Sequence, residues 1–179
     1  MSASSTVIAG HACFRAVLSA LAHPGRRFAL GGAVDAVDGV GALVGALYES
    51  DTPICCDASW ALPFPARRVA AEQAQLLLLH GAASGGALAR APRGSEEHPS
   101  YGATALYVAT DQPFDGTAVA LRGPGVDGLL RTSLALTVAE LAERATACAR
   151  RPLGVDLLLV GADGSVTGLP RSTLVEVTG

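Results

Sequence analysis

One stretch of the chain, residues 137–169, constrains the fold more than any other. Thr137-Val-Ala-Glu140 has the pattern of a capping box, in which the hydroxyl and the carboxylate each accept a hydrogen bond from an unpaired backbone N–H at a helix start. Pro152 and Gly154 end this helix, and residues 155–160 form an almost continuous apolar run, typical of a buried strand. Asp163-Gly164 fits the centre of a tight hairpin turn into a strand over residues 166–169. This hairpin, together with the helices and strands that alternate earlier in the chain, predicts a mixed sheet.

The rest of the chain alternates helices and strands. Apolar residues spaced by three and four predict a helix over residues 12–21, which His23-Pro24-Gly25 ends, and a second buried helix spans residues 34–48. Residues 82–101 predict a surface loop with at most a short helix. Further strands are predicted at residues 26–30, 54–56, 76–79, 104–110, 117–121 and 173–177. We therefore predict a three-layer α/β/α fold, with helices on both faces of a mixed sheet.

Length and composition indicate one domain that is not a membrane protein. The 179 residues fit a single domain, in which we expect residues 1–9 to be loosely ordered. Half of the residues are hydrophobic, yet no apolar run approaches the roughly 18–20 residues of a spanning helix. The first residues lack a basic stretch leading into an apolar one, so we expect a cytoplasmic protein. A net charge of −3 gives no attraction to nucleic acid.

The chain contains 13 arginines and no lysine. Chemistry that requires a side-chain amine is therefore excluded. The excluded chemistry comprises Schiff-base catalysis, the anchoring of pyridoxal phosphate and a Walker-type phosphate loop. We expect no cofactor.

Neither cysteine nor histidine spacing predicts a metal site. The four histidines lie far apart, without the spacing of known zinc motifs. Cys55 and Cys56 fit a redox pair, half of a metal site, or two structural thiols. Neighbouring strand residues point to opposite faces of a sheet, which favours structural thiols.

Two segments have the chemistry of an anion site, each with a structural alternative. Leu121-Arg-Gly-Pro-Gly125 fits either a backbone nest beside Arg122 or a tight turn. Arg171, beside Ser172 and Thr173, fits either a bidentate grip on phosphate or a surface ion pair. An independent enzyme for phosphate esters or small anions, built on Arg171 and Gly123–Gly125, is thus one hypothesis, and a free-standing ligand-binding module is a weaker one.

An ordered set of short motifs resembles the PhnH family, a subunit of the bacterial carbon–phosphorus lyase system. The resemblance runs from near residue 11 to the C-terminus and is strongest over residues 152–177, while residues 66–100 carry little of it. The motif positions, which the family resemblance marks as structural or interface residues, are Phe14, Arg15, Pro24, Gly25, Asp51, Thr52, Pro53, Gly102, Thr104, Gly123, Gly125, Pro152, Gly154, Asp156, Pro170, Arg171 and Thr173.

The resemblance implies a function in organophosphonate breakdown during phosphorus starvation. It implies a homodimer that joins the other core subunits PhnG, PhnI and PhnJ. With PhnG, PhnI and PhnL, such a subunit assists the transfer of ribose triphosphate from ATP to an alkylphosphonate such as methylphosphonate. The implied fold is similar to the large domain of pyridoxal-phosphate-dependent transferases, without the cofactor. No catalytic residue is implied, and none is assigned.

Overall fold

A computed structural model describes residues 3–31, 36–56, 58–109 and 116–178, with the side chains of residues 3–9 and 36–39 left out. The helices are α1 (Ala3–Ala22), α2 (Ala36–Leu47), α3 (Ala87–Arg90) and α4 (Val138–Ala147). The strands are β1 (Arg27–Ala29), β2 (Pro53–Cys55), β3 (Arg67–Arg68), β4 (Leu76–His80), β5 (Thr104–Val108), β6 (Thr117–Arg122), β7 (Leu130–Leu134), β8 (Asp156–Val160), β9 (Ser165–Leu169) and β10 (Leu174–Val177).

Seven strands form one large mixed sheet in the order β1-β9-β8-β5-β4-β2-β3. The run from β8 to β3 is parallel, whereas β9 is antiparallel to both of its neighbours. The carboxyl ends of β4, β5 and β8 therefore lie side by side at one edge of the sheet. The remaining strands form a small antiparallel sheet in the order β10-β6-β7.

Two separate apolar cores cover the two faces of the large sheet. On one face, Leu78, Leu106 and Leu158 pack with residues of α1 and α2. On the other face, alternate residues of the same strands pack with α3, α4 and the small sheet. Strands β5 and β8 are buried at every position but the first, and β4 at its first three positions, because both faces of the sheet are covered. The predicted α/β fold with a mixed sheet is confirmed, and its layers are α1 and α2, the large sheet, and α3 and α4 with the small sheet.

Most predicted elements lie within a few residues of the observed ones. The hairpin after β8 is confirmed, with Val160 opposite Val166, although four residues rather than two connect its strands. The loop over residues 82–101 carries the four-residue α3 and a 3₁₀ turn at Pro99–Tyr101, as expected. Strands β3 and β7 were not predicted. None of the described helices is long and apolar enough to cross a membrane.

Helix α1 runs through most of the segment that sequence predicts to be loosely ordered. Its assigned start is Ala3. Residues 1 and 2, and the side chains of residues 3–9, fall outside the description. The order of residues 1–9 therefore stays a prediction.

Candidate functional site

A cavity of about 690 Å³ opens beside the carboxyl edge of the parallel strands. Its walls come from the loop directly after β4, from the ends of β5 and β8, from β1 and β9, and from β7 of the small sheet. Small-molecule sites commonly measure about 300–1,000 Å³ and occupy the crevice at the carboxyl ends of strands in open α/β sheets. This cavity is therefore the candidate functional site of the described part of the chain.

The cavity wall is mixed, with apolar side chains and several hydroxyls. Leu134 and Leu159 contribute apolar surface, and the cavity also borders Tyr107. Thr132 and Thr167 line the cavity, and their hydroxyls have no protein partner among the described residues. The hydroxyl of Ser165, also in the wall, donates to Asp163 Oδ1 at 2.6 Å. Apolar surface with a few placed polar groups is the usual composition of a ligand pocket.

A buried carboxylate holds the hydroxyl of Tyr107. Glu140 is 2% exposed, and its Oε1 accepts a short hydrogen bond from Tyr107 Oη. The backbone N–H of Ser84 donates to Glu140 Oε2 at 2.9 Å. Burial, together with the hydrogen bond and the charge of Glu140, raises the pKa of Tyr107 well above its ordinary value. The tyrosine is therefore a neutral hydrogen-bond donor at the back of the cavity.

This arrangement corrects half of the predicted capping box. The hydroxyl of Thr137 does accept from the N–H of Glu140 at 3.1 Å, as predicted for the start of α4. The predicted return bond from Glu140 to the N–H of Thr137 is wrong, because that N–H donates to the Ala82 carbonyl at 3.1 Å. The Glu140 carboxylate turns instead toward β5 and the loop after β4.

Two charged side chains line the cavity, and they pair with each other. Arg27 Nη1 lies 3.6 Å from Asp163 Oδ2, and the two side chains are 72% and 58% exposed. Hydrogen bonds from Ser165 are the main cause that lowers the pKa of Asp163, with Arg27 as a weaker cause. Because the pair is so exposed, solvent screens it strongly. The described interior of the cavity therefore carries no unpaired charge.

Arg171, the candidate anion ligand of the alternative hypothesis, does not line the cavity, and its side chain binds other groups of the protein. Its Nε donates to both carboxylate oxygens of Asp156, at 3.1 and 3.0 Å, and its Nη2 lies 2.5 Å from Asp156 Oδ2. Its Nη1 donates to the Pro99 carbonyl at 2.6 Å. The Arg171 side chain is 16% exposed and that of Asp156 is 24% exposed, so the pair is largely buried rather than on the surface. The geometry gives Arg171 a structural partner and does not favour it as a phosphate ligand.

Other motif residues pack around this ion pair, and together they form the Arg171 cluster (Gly102, Gly154, Asp156 and Arg171). A Cβ on Gly102 would clash with Arg171 Nη1 and with the Gly154 carbonyl. Gly154 has φ +151°, and a Cβ there would lie 2.8 Å from Cys148 Sγ. Both positions therefore require glycine.

A second, buried arginine was not predicted from sequence. Arg144, in the last turn of α4, is 2% exposed, and burial lowers the pKa of its guanidinium. Its Nη2 donates to the Pro170 carbonyl at 2.6 Å and, with Nη1, to the Thr173 carbonyl at 3.2 Å. Arg144 thus fixes the segment between β9 and β10, where Pro170 and Thr173 are motif positions.

Three further motif residues meet where α1 ends, at a contact we call the Pro24 crossing (Pro24, Gly25 and Gly125). A Cβ on Gly125, which has φ +79°, would collide with the Ala22 carbonyl and lie 2.9 Å from Pro24 Cδ. The N–H of Gly25 donates to the Gly168 carbonyl at 3.0 Å. The turn after β6 closes with a bond from the N–H of Val126 to the Gly123 carbonyl at 3.1 Å. The turn interpretation of Gly123–Gly125 therefore fits the structure better than an anion nest.

The other motif residues lie at turns, at strand starts or on the surface. Thr52 Oγ1 accepts from the N–H of Glu49 at 3.2 Å, which orders the turn at Asp51 before Pro53 begins β2. Thr104 begins β5 directly opposite Asp156 in β8. The remaining three positions, Phe14, Arg15 and Pro152, are exposed.

The four cysteines are divided between the layers, and no group of metal ligands forms among the described residues. Cys55 packs against one core and Cys56 against the other, as predicted for neighbours in a strand. Cys56 Sγ also accepts from Arg68 Nη1 at 3.0 Å. Cys13 is 1% exposed and donates to the Leu30 carbonyl at 3.2 Å, while Cys148 is 2% exposed and donates to the Val155 carbonyl at 3.6 Å.

Comparison with known protein families identifies the family of this chain. The sequence matches the profile of the family described as "Bacterial phosphonate metabolism protein (PhnH)" over residues 3–176. The chain belongs to the PhnH family. Membership in PhnH implies a part in bacterial phosphonate metabolism. No curated protein matches the chain in a direct search.

The PhnH match extends through residues 66–100, to which no motif was assigned from sequence. This region includes Ser84, whose N–H binds Glu140 behind the cavity. The cavity itself was not predicted. The residue types that line it, largely glycine, alanine and threonine, form no sequence motif. The one signal of the site in the sequence is a lone tyrosine inside the apolar strand β5, because the hydroxyl of a buried tyrosine requires a hydrogen-bond partner.

Proposed function

We propose that this chain is a non-autonomous subunit of the carbon–phosphorus lyase core complex. In this role it assists the transfer of ribose triphosphate from ATP to an alkylphosphonate. The observation that carries the proposal is the PhnH match over residues 3–176. The proposed partners are PhnG, PhnI and PhnJ, together with a second copy of the chain, in the cytoplasm. The proposal includes neither nucleic acid nor membrane as a partner, and no bound cofactor.

Further support comes from what the motif residues contact. Arg171, Asp156 and the Pro24 crossing are engaged within the protein, so they stabilise a scaffold rather than present a reactive group. The motif residues Pro170 and Thr173 are likewise held, through their carbonyls, by the buried Arg144. By contrast, the motif residue Phe14 is 43% exposed on α1, and Leu18, one turn further along the same face, is 51% exposed. Large apolar side chains at an exposed helix face are typical of residues that contact another subunit.

We also propose a fold relationship for this chain. We place the chain as one PhnH-like domain similar to the large domain of pyridoxal-phosphate-dependent transferases. The large mixed sheet with helices on both faces is compatible with that relationship. Since the chain has no lysine, it cannot form the internal Schiff base of those enzymes.

Deletion and reconstitution test this function. In a bacterium that carries the rest of the system, deletion of this subunit should abolish growth on methylphosphonate as the phosphorus source, while growth on inorganic phosphate continues. The purified chain alone should leave ATP and methylphosphonate unchanged, and it should co-purify with the other core subunits. The Phe14→Ala variant should weaken co-purification, with Tyr101→Ala, another exposed aromatic, as its control. Turnover by the isolated chain, or normal growth without it, would contradict the proposal.

A further inference from the structure

We propose that the cavity at the carboxyl edge of the large sheet binds the uncharged part of a nucleotide, its sugar and base. The choice of a nucleoside among neutral, hydroxyl-bearing ligands rests on the proposed function, in which ATP is a substrate. The size and the polarity of the cavity rest on the structure alone. A volume of about 690 Å³ accommodates a ligand of this size with room for water.

The charges around the cavity exclude a compact, multiply charged group from its interior. The one cation in the described lining is Arg27, which is largely exposed at the rim and already pairs with Asp163. Glu140 lies behind Tyr107, and its carboxylate is held by that hydroxyl and by the Ser84 N–H. An anion placed deep in the cavity would lose its hydration without gaining a counter-charge. A triphosphate or a phosphonate therefore stays at the rim, within reach of Arg27.

The hydroxyls exclude the opposite extreme, a purely apolar ligand. Thr132 lies in β7 of the small sheet and Thr167 in β9 of the large sheet, and both residues line the cavity. Neither hydroxyl bonds to another described residue, so an apolar ligand would leave both without a partner. A ligand that has hydroxyls on one part and an apolar ring on another satisfies these groups and also covers Leu134 and Leu159. A nucleoside combines both properties.

Calorimetric titration of the full chain tests the proposal with adenosine, ATP and tripolyphosphate as separate ligands. Adenosine should bind, and tripolyphosphate should neither bind in its place nor displace it. ATP should bind as well as adenosine or better, and any gain should fall with added salt and with Arg27→Gln. No binding of adenosine, or displacement of adenosine by tripolyphosphate, would overturn the assignment.

Two nearly isosteric variants locate the bound nucleoside. Thr132→Val and Thr167→Val each remove one hydroxyl, and each should weaken adenosine binding about fivefold. Thr146→Val is the matched control, because its hydroxyl is exposed on α4 and bonds to the Ala142 carbonyl away from the cavity. Circular dichroism confirms that each variant folds. Adenosine binding that is unchanged in both cavity variants would place the nucleoside elsewhere and refute the inference.

The same variants separate this inference from the proposed function. If deletion of the subunit abolishes growth on methylphosphonate but adenosine does not bind, the cavity assignment fails and the proposed function stands. If adenosine binds in the cavity but deletion leaves growth unchanged, the proposed function fails and the cavity is a nucleoside site of another system.

Discussion

Arg171 shows at the residue scale how a side chain with the chemistry of an anion ligand can be structural. Its guanidinium joins β8, through Asp156, to the Pro99 carbonyl in the loop before β5. From sequence, an arginine beside two hydroxyls also fits a phosphate site. What makes Arg171 structural is the carboxylate of Asp156, 15 residues earlier in the chain, which the hairpin of β8 and β9 brings next to Arg171.

The Arg171→Lys variant should therefore destabilise the protein although it keeps the charge. A lysine cannot reproduce the planar fork that binds Asp156 and the Pro99 carbonyl, so we expect a loss of about 1–3 kcal/mol in the free energy of unfolding. Urea denaturation measures this loss. Arg150→Lys is the control: its partner is Glu96, both side chains are about 80% exposed, and the change should stay within about 0.5 kcal/mol. Equal effects of the two substitutions would refute the structural role of Arg171.

Tyr107 gives the protein a sensitivity to alkaline pH. Its pKa is raised in the folded state, whereas an unfolded tyrosine ionises near pH 10. Above about pH 10 the unfolded chain therefore releases a proton that the folded chain keeps, and stability falls by about 1.4 kcal/mol per pH unit from this residue. Below that pH the contribution of Tyr107 is fully present.

The Tyr107→Phe variant tests this assignment. At pH 8 it should be less stable than the parent, because Glu140 loses a hydrogen-bond donor. As the pH rises from 10 to 11, the difference between the two proteins should shrink, since the variant lacks the titrating hydroxyl. Urea denaturation at pH 8, 10 and 11 measures the difference, with Tyr101→Phe as the exposed control. A difference that stays constant with pH would contradict the role given to Tyr107.

At the scale of elements, the Pro24 crossing shows that packing depends on the absence of side chains. Helix α1 ends against the turn at Gly125 and crosses β9 so closely that a Cβ on Gly168 would lie 2.5 Å from the Ala20 carbonyl. These contacts tie the first helix to both sheets, because Gly125 follows β6 of the small sheet and Gly168 belongs to β9 of the large one.

Two glycines in the same turn region separate the effect of the clash from that of the backbone. Gly125 and Gly128 both have positive φ, at +79° and +64°, but a Cβ on Gly128 would meet nothing within 4 Å. Gly128→Ala should cost about 1–2 kcal/mol for the left-handed conformation alone. Gly125→Ala should cost at least about 1 kcal/mol more, because the new methyl group meets the Ala22 carbonyl. Thermal unfolding measures both, and equal losses would show that the crossing tolerates a side chain.

The elements that sequence predicts well are those whose structure is specified by residues close together in the chain. Strand β8 is a continuous apolar run, and α4 begins at a threonine that caps it, so both are specified by neighbouring residues. Strand β3 consists of Arg67 and Arg68 alone and exists because it pairs with β2. Strand β7 mixes leucine with Arg131 and Ser133, and its partner β6 defines it more than its own pattern does.

The cavity shows that sequence-based prediction has the same limit at the candidate site. Its lining comes from strands that are far apart along the chain, and the residue types that line it have no motif. The sequence predicts a local cap for Glu140 because the capping pattern relates residues three apart. The observed partners of Glu140, Ser84 and Tyr107, lie 56 and 33 residues away. Long-range partners of this kind depend on the topology of the sheet.

At the scale of the whole molecule, the large sheet separates two cores that share strands but not side chains. Leu77 and Leu78, adjacent in β4, belong to different cores, and the same alternation holds along β5 and β8. The small sheet packs against one face of the large sheet only, the face that α3 and α4 cover. The family match covers both sides of the large sheet, because it extends over residues 3–176 and thus over all but the last two described residues.

This two-sided construction has a practical consequence in the placement of two thiols. Cys13 is buried on the α1 side of the large sheet, and Cys148 is buried at the end of α4 on the other side. A buried thiol reacts with an exchange reagent only when its surroundings open, so each cysteine reports local opening of its own layer. With Cys55 and Cys56 replaced by serine, the chain would carry a native pair of probes, one on each side of the sheet, for whether the two layers open together or independently.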